Sequence, residues 1–212
     1  MTSDSDEGKD GEALRLQDAV GRIEAVMDNA AEARFRSTAR QARTSAKRLI
    51  WLQRAADIVQ DVVLASKAVP CGSGCSHCCA IPVAITQAEA FAIADFAKLP
   101  RPSQPAAAIT GRGVLAQEQV VEDARDEAAL AHMGEPCTFL VDGGRCSVYP
   151  ARPLACRLHF SLSTNSDDCR PDYFGQSPRL DVFDRNLDNI LTLGLSQPVA
   201  DIRDWFAQRK QV

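Results

Sequence analysis

Apolar residues near the start of the chain recur at steps of three and four. Leu16, Val20, Ile23 and Met27 form one such series, and Ile50, Trp51, Ile58 and Val62 a second. That period is the signature of helices with one buried face. From about Glu12 to Ser66 there is no proline and only one internal glycine, Gly21, in a background of Ala, Leu, Arg, Glu and Gln. This composition favours helix, read as two helices or as one long helix broken between about Asp28 and Ala33. The pattern then changes. Ile81-Pro-Val-Ala-Ile85 reads as a short extended segment, and Thr86-Gln-Ala-Glu89 as a capping box. The helix opened there runs through Phe91, Ile93 and Phe96 towards Lys98 and stops before Pro100; Pro100 to Pro105 is a linker. Residues from about 106 to 133 look helical again, weakened at Gly111 and Gly113. Thr138 to Val141 and Arg145 to Val148 flank Asp142-Gly143-Gly144, the pattern of a small hairpin. Two closing helices are expected, at about Leu180 to Leu193 and Val199 to Arg209.

Charge and composition narrow the field. The chain has 212 residues and a formal net charge of −4, so no global field draws it to nucleic acid or to an acidic membrane. Arg36, Arg40, Arg43, Lys47 and Arg54 share one helical face, and no acidic residue interrupts Ala33 to Ala56. A solvated face is preferred there over a nucleic-acid contact, because no aromatic residues interleave to stack on bases; a protein partner using these N-terminal helices stays open. The first residues, MTSDSDEGKDGE, are acidic and lack the basic and apolar regions of a secretory signal. No apolar run approaches the roughly 20 residues of a membrane helix. A cytoplasmic protein is expected.

The reactive chemistry is concentrated in cysteine. Eight are present: Cys71, Cys75, Cys78 and Cys79 within nine residues, then Cys137, Cys146, Cys156 and Cys169. In a reducing cytosol such thiols read as metal ligands or redox groups rather than disulfides. Soft thiolates select zinc, iron–sulfur clusters or Cu(I) over hard cations. Eight of them suffice for two four-cysteine zinc sites, or for one four-cysteine iron–sulfur cluster with spares. Adjacent Cys78 and Cys79 point in different directions in most backbones. They either feed two sites, or one ligates while the other stands behind it. His77 and His159 are close enough in sequence to replace a thiol, whereas His132 reads as structural. Arg152 and Arg157 flank Cys156 and either offset thiolate charge or pair with Asp142 or Glu135.

The fold class expected from these elements is mainly α, a helical single domain with an irregular cysteine-rich metal centre and one small β-hairpin. Residues 1–10 form a disordered tail and 11–68 a helical extension. Residues 69–172 form the cysteine-cluster domain, with 100–134 as an insertion, and 173–212 are C-terminal helices packing on it.

The run Cys-x3-Cys-x2-Cys-Cys, then Cys137-Thr-Phe-Leu, Gly144-Arg-Cys-Ser-Val-Tyr and Arg152-Pro-Leu-Ala-Cys-Arg, resembles the YkgJ-type cysteine-cluster family, described as zinc- or iron-chelating. The resemblance covers about Cys71 to Cys169, and the first spacing is three residues where many members have two. It implies that Cys71, Cys75, Cys78, Cys79, Cys137, Cys146 and Cys156 are the family cysteines, with Cys169 completing the set. A bacterial flagellin lysine methylase is similar in its cysteine motif, which implies methyl transfer from S-adenosylmethionine as one reaction. No glycine-rich nucleotide loop after a strand supports it here. The first spacing also matches the radical S-adenosylmethionine signature, but the repeated strand–helix units of that barrel are missing from the pattern. Three functions from different classes follow. The first is a metal-binding protein with a structural or redox site, the second an iron–sulfur enzyme, and the third an interaction module presenting its basic helix. No serine–histidine–acid set, paired carboxylates or P-loop is legible, so no reaction is named.

Overall fold

The computed structural model describes residues 21, 30–65, 71, 74–110, 112, 131–161, 169–173, 179–180, 189–190 and 192–207. The tail at 1–10 and most of the expected first helix lie outside them. Two antiparallel helices open the described chain, α1 (Ala30–Gln41) and α2 (Ser45–Ala65). The break expected between about Asp28 and Ala33 falls largely outside the described residues, and a further break, which the sequence pattern did not suggest, separates α1 from α2 at 42–44. Local side chains explain it. Thr44 Oγ1 accepts the Lys47 N–H at 3.3 Å, as an N-cap does, and Arg48 Nε donates to the Ala42 carbonyl at 2.8 Å.

The buried stripe of α2 is Leu49, Leu52, Ala56, Val59 and Val63, one position away from the expected series. Ile50 is instead exposed, and Trp51, Ile58 and Val62 are only partly buried. Leu154, Leu158, Phe160 and Leu193 complete this first core. Of the five cations, Arg40, Arg43, Lys47 and Arg54 are exposed, as a solvated face requires, with Arg54 over the Trp51 ring at 4.7 Å. Arg36 is instead buried, pairing with Glu32 one turn back and donating to Asn189 Oδ1 at 3.0 Å.

Helix α3 (Gln87–Ala97) begins at the expected capping box. Thr86 accepts from the Glu89 N–H, and the Glu89 carboxylate accepts from the Thr86 N–H at 2.8 Å. It ends with Lys98 in the left-handed conformation at φ 55°. Ala88 and Ala92 face the first core; Ala90, Ile93 and Ala94 face a second.

That second core lies against a three-stranded sheet with the order β1-β7-β2, where β1 is Ala84–Thr86, β2 Ile109–Thr110 and β7 Pro198–Asp201. Ile85 pairs with Ala200, and Val199 with both Thr86 and Ile109, all antiparallel. Two expectations are corrected here. Residues 109–110 are strand, not helix. Val199 begins no long helix either: the chain is extended through Asp201 before the short helix α5 (Ile202–Trp205). Between the edges β1 and β2, β7 has hydrogen-bonding partners on both sides, and this outweighs local helix propensity.

The hairpin expected around Gly143 is present, with β3 (Leu140–Val141) and β4 (Arg145–Cys146) in the register Leu140↔Cys146. Helix α4 (Leu154–Arg157) follows, and β5 (Phe160–Ser161) pairs with β6 (Arg179–Leu180). Residues 179–180 are therefore strand rather than the start of a helix; most of the expected helix to Leu193 lies outside the described residues. The chain is mainly α with small strands. Among the described residues, no helix is long and apolar enough to cross a membrane.

Candidate metal centre

Cys78 and Cys79 lie on the 3-10 turn His77–Ala80, which is entered through Gly74 at φ 88°. The backbone of this turn is the seat for the second cysteine segment. The Cys79 carbonyl accepts the Cys137 N–H at 2.8 Å, and the Ala80 carbonyl accepts the Gly134 N–H at 2.8 Å. The hairpin then closes over the first loop from the other direction. Gly143 and Gly144 have φ of 76° and 70°, which favours glycine. A Cβ at Gly144 would lie 2.6 Å from the Gly74 carbonyl oxygen. The turn fits only because that side chain is missing.

Cys156 arrives on α4, whose start is set by a buried acid. The Glu89 side chain accepts the Leu154 N–H at 3.0 Å with one oxygen and both the Thr86 N–H and hydroxyl at 2.8 Å with the other. Burial raises the pKa of this carboxyl although those bonds pull it down. Cys169 is buried, and the 3-10 turn that follows it, Pro171–Tyr173, packs on His77–Ala80.

The thiols that these elements deliver interact with one another in two sets. Cys156 is charge-coupled to Cys137, Cys79 and Cys146; Cys137 and Cys146 are also coupled to Cys79, and to each other. Cys71 feels the charges of Cys169 and Cys75, and Cys78 those of Cys79, Cys156 and Cys169. Cys78 therefore joins the sets, through its hydrogen bond to Cys79 and through its closeness to Cys156. The hydrophobic surroundings divide the same way: Cys137, Cys146 and Cys156 pack on the second core, and Cys71 on the first. Among the described residues, which include all the cysteines, no disulfide is present. No group of three or more His, Cys, Asp or Glu side chains among them is arranged to hold an ion as it stands.

Burial and mutual repulsion oppose ionisation of most of these thiols. Burial pushes Cys137 up to about 11 and raises Cys71 and Cys146; burial and three neighbouring thiols push Cys156 well above the ordinary range. Cys79 is the exception, lowered to about 7 by the hydrogen bond from Cys78 and by the Arg203 and Arg152 charges, against its burial. Like charges at this density cannot all ionise unaided; a bound cation would reverse that balance.

The arginines have separate tasks. Arg157 ion-pairs with Asp57 of α2 and donates to the Arg152 and Pro150 carbonyls at 3.0 and 2.6 Å. It pins the turn before Cys156 and pairs with neither Asp142 nor Glu135. Arg152 lies 4.1 Å over the Tyr149 ring, and its charge reaches Cys71, Cys79, Cys146 and Cys156. Its Nε is buried and meets no hydrogen-bond partner among the described residues. A buried donor without a partner beside four thiols suits an anionic sulfur shell. Arg203 was not singled out in the sequence, and no motif there marks it. His77 sits in the turn between Cys75 and Cys78. His132 lies 2.7 Å from Glu135 Oε2 and 3.0 Å from Asp204 Oδ1, tying its turn to α5, which accords with the structural role expected.

Residues 70–174 match the model of the CxxCxxCC family, whose description is "putative zinc- or iron-chelating domain". No curated protein and no solved structure matches the chain.

Proposed function

We propose that this chain, whose residues 70–174 match the model of the CxxCxxCC zinc- or iron-chelating domain, holds metal at two neighbouring four-thiolate centres. Cys79, Cys137, Cys146 and Cys156 would bind at one; Cys71, Cys75, Cys78 and Cys169 would bind at the other. One observation carries the reading: Cys156 has Cys79, Cys137 and Cys146 as its charge neighbours, although the four come from separate stretches of chain. Such a set suits tetrahedral zinc or an iron–sulfur cluster. When bound, the metal would supply a cross-link between segments that are far apart in the chain and already meet at the second core. The role is architectural, and thiols kept reduced for it fit a cytoplasmic location.

Elemental analysis with an ultraviolet–visible spectrum, on protein purified without oxygen, tests this. The expected result is about two metal equivalents per chain, with Cys146→Ser and Cys169→Ser each keeping about one. Iron with sulfide and a broad visible band would assign clusters to the same ligands. A single centre lost in both variants, or a chain without metal, would overturn the reading.

A further inference from the structure

Arg203 lies on α5, beyond the matched residues 70–174, yet its side chain is buried among the cysteine segments. Its guanidinium donates in three directions. Nη2 reaches the Cys79 carbonyl at 3.0 Å, the Ile81 carbonyl at 3.1 Å and the Glu135 carbonyl at 2.7 Å; Nε reaches the Glu135 carbonyl at 3.1 Å. Nη1 faces the Asp201 carboxylate at 3.0 and 3.2 Å. Asp201 is itself fixed, accepting the Arg203 N–H at 2.8 Å and the Val83 N–H at 2.6 Å.

These contacts close a frame. The Cys79 carbonyl held by Arg203 also accepts the Cys137 N–H, and Glu135 stands two residues before Cys137. One planar fork therefore sets the spacing between the backbones that carry Cys79 and Cys137, two of the four thiols proposed to share a centre with Cys146 and Cys156. It also places a permanent positive charge beside them. A lysine, with a single nitrogen at the end of its stem, cannot span carbonyls on both segments while facing a carboxylate.

We propose that Arg203 is a positioning residue for the metal centre, so that the chelating domain is incomplete without the β7–α5 segment outside it. This rests on the reading that the thiols hold metal. Positioning partners of metal ligands typically change affinity by about 10–100-fold when removed.

The test uses the full chain, with zinc as the probe. Zinc affinity is measured by competition with a chromophoric chelator, at a temperature where circular dichroism shows the metal-free proteins folded. Arg203→Met is expected to weaken zinc binding by about 10–100-fold, and Arg203→Lys by the lower end of that range. Phe35→Leu is the control. It loosens the stacking of α1 on Trp51 of α2, at a ring separation of 5.7 Å, away from the cysteine carbonyls. It should lower the melting temperature and leave zinc affinity unchanged. If Arg203→Met does not fold, Arg203→Lys carries the test alone. Wild-type affinity in the folded Arg203 variants, or an equal loss in Phe35→Leu, overturns the inference alone. A wild-type chain that binds no zinc overturns the functional reading and this inference together.

Discussion

The helical half and the cysteine half of this protein are held together by different physics. Around α1 and α2 the stabilising surface is a continuous apolar stripe, Leu49, Leu52, Ala56, Val59 and Val63, on one helix of 21 residues. Around the cysteines the elements are minimal: strands of 2 residues in the hairpin and a helix of 4 residues under Cys156. Such pieces have little intrinsic stability. What fixes them is the second apolar core, with Phe139 and Val148 inside it, together with a set of buried charged side chains bonded to backbone groups. Glu89 holds the Leu154 N–H, Arg157 the Pro150 and Arg152 carbonyls, and Arg203 the Cys79, Ile81 and Glu135 carbonyls. Periodic sequence builds the first half; in the second, apolar residues from scattered short elements and precise polar contacts work together, and the proposed metal would add to them.

The largest expected effect comes from removing metal. Structural zinc sites contribute apparent binding energies of about 10–16 kcal/mol, and here that stabilisation would fall on one half. The two tryptophans report the halves separately: Trp51 lies on α2 against Phe35, and Trp205 is buried on α5, donating to the Ile85 carbonyl at 3.2 Å. Chelation should change the emission of a Trp51→Phe variant, which reports Trp205, and leave that of Trp205→Phe largely unchanged. Equal changes in both would mean that the halves unfold as one unit.

Core and turn substitutions should sharpen the same contrast. Leu52→Ala is expected to cost about 2–5 kcal/mol in chemical denaturation while metal content stays constant. Gly144→Ala should cost less, about 1–3 kcal/mol for its strained backbone, yet lower metal content, because the added methyl meets the Gly74 carbonyl. Metal loss in Leu52→Ala, or full metal in Gly144→Ala, would break the distinction.

The smallest effect is a dependence on pH at the seam with α5. Burial works to lower the His132 pKa, but hydrogen bonding to Glu135 and Asp204 outweighs it and raises the value above 6.5. A raised folded-state pKa means stability that is fully present below the unfolded value and is lost as pH rises through the folded one. Melting temperatures of wild type and His132→Asn, compared across that window, should converge as pH rises. A constant difference would show that protonation of His132 contributes nothing.

In both halves, the features that were legible are those whose cause is local. The Thr86–Glu89 box, the stop at Lys98 and the Asp142–Gly144 turn are each written in four or five consecutive residues. The α2 stripe was misplaced by one position, since Ile50 and Trp51 are as apolar as Leu49 and Leu52, and only packing shows which pair faces inward. The stretch from Val199 read as helix because its apolar spacing allows either period. The partner strands that make it β7 lie about a hundred residues earlier.

By itself the sequence determined the donor set: eight thiols whose softness and grouping point to zinc or iron. It also determined the helix period and the glycines without which the hairpin turn cannot form. Only the tertiary structure decided which thiols are neighbours, that Arg157 pairs with Asp57, and that Arg203 spans carbonyls 124 and 68 positions away. The physical reason is that a backbone carbonyl has no sequence signature. Every residue carries one, and a buried arginine finds its partners only once the chain has folded around it.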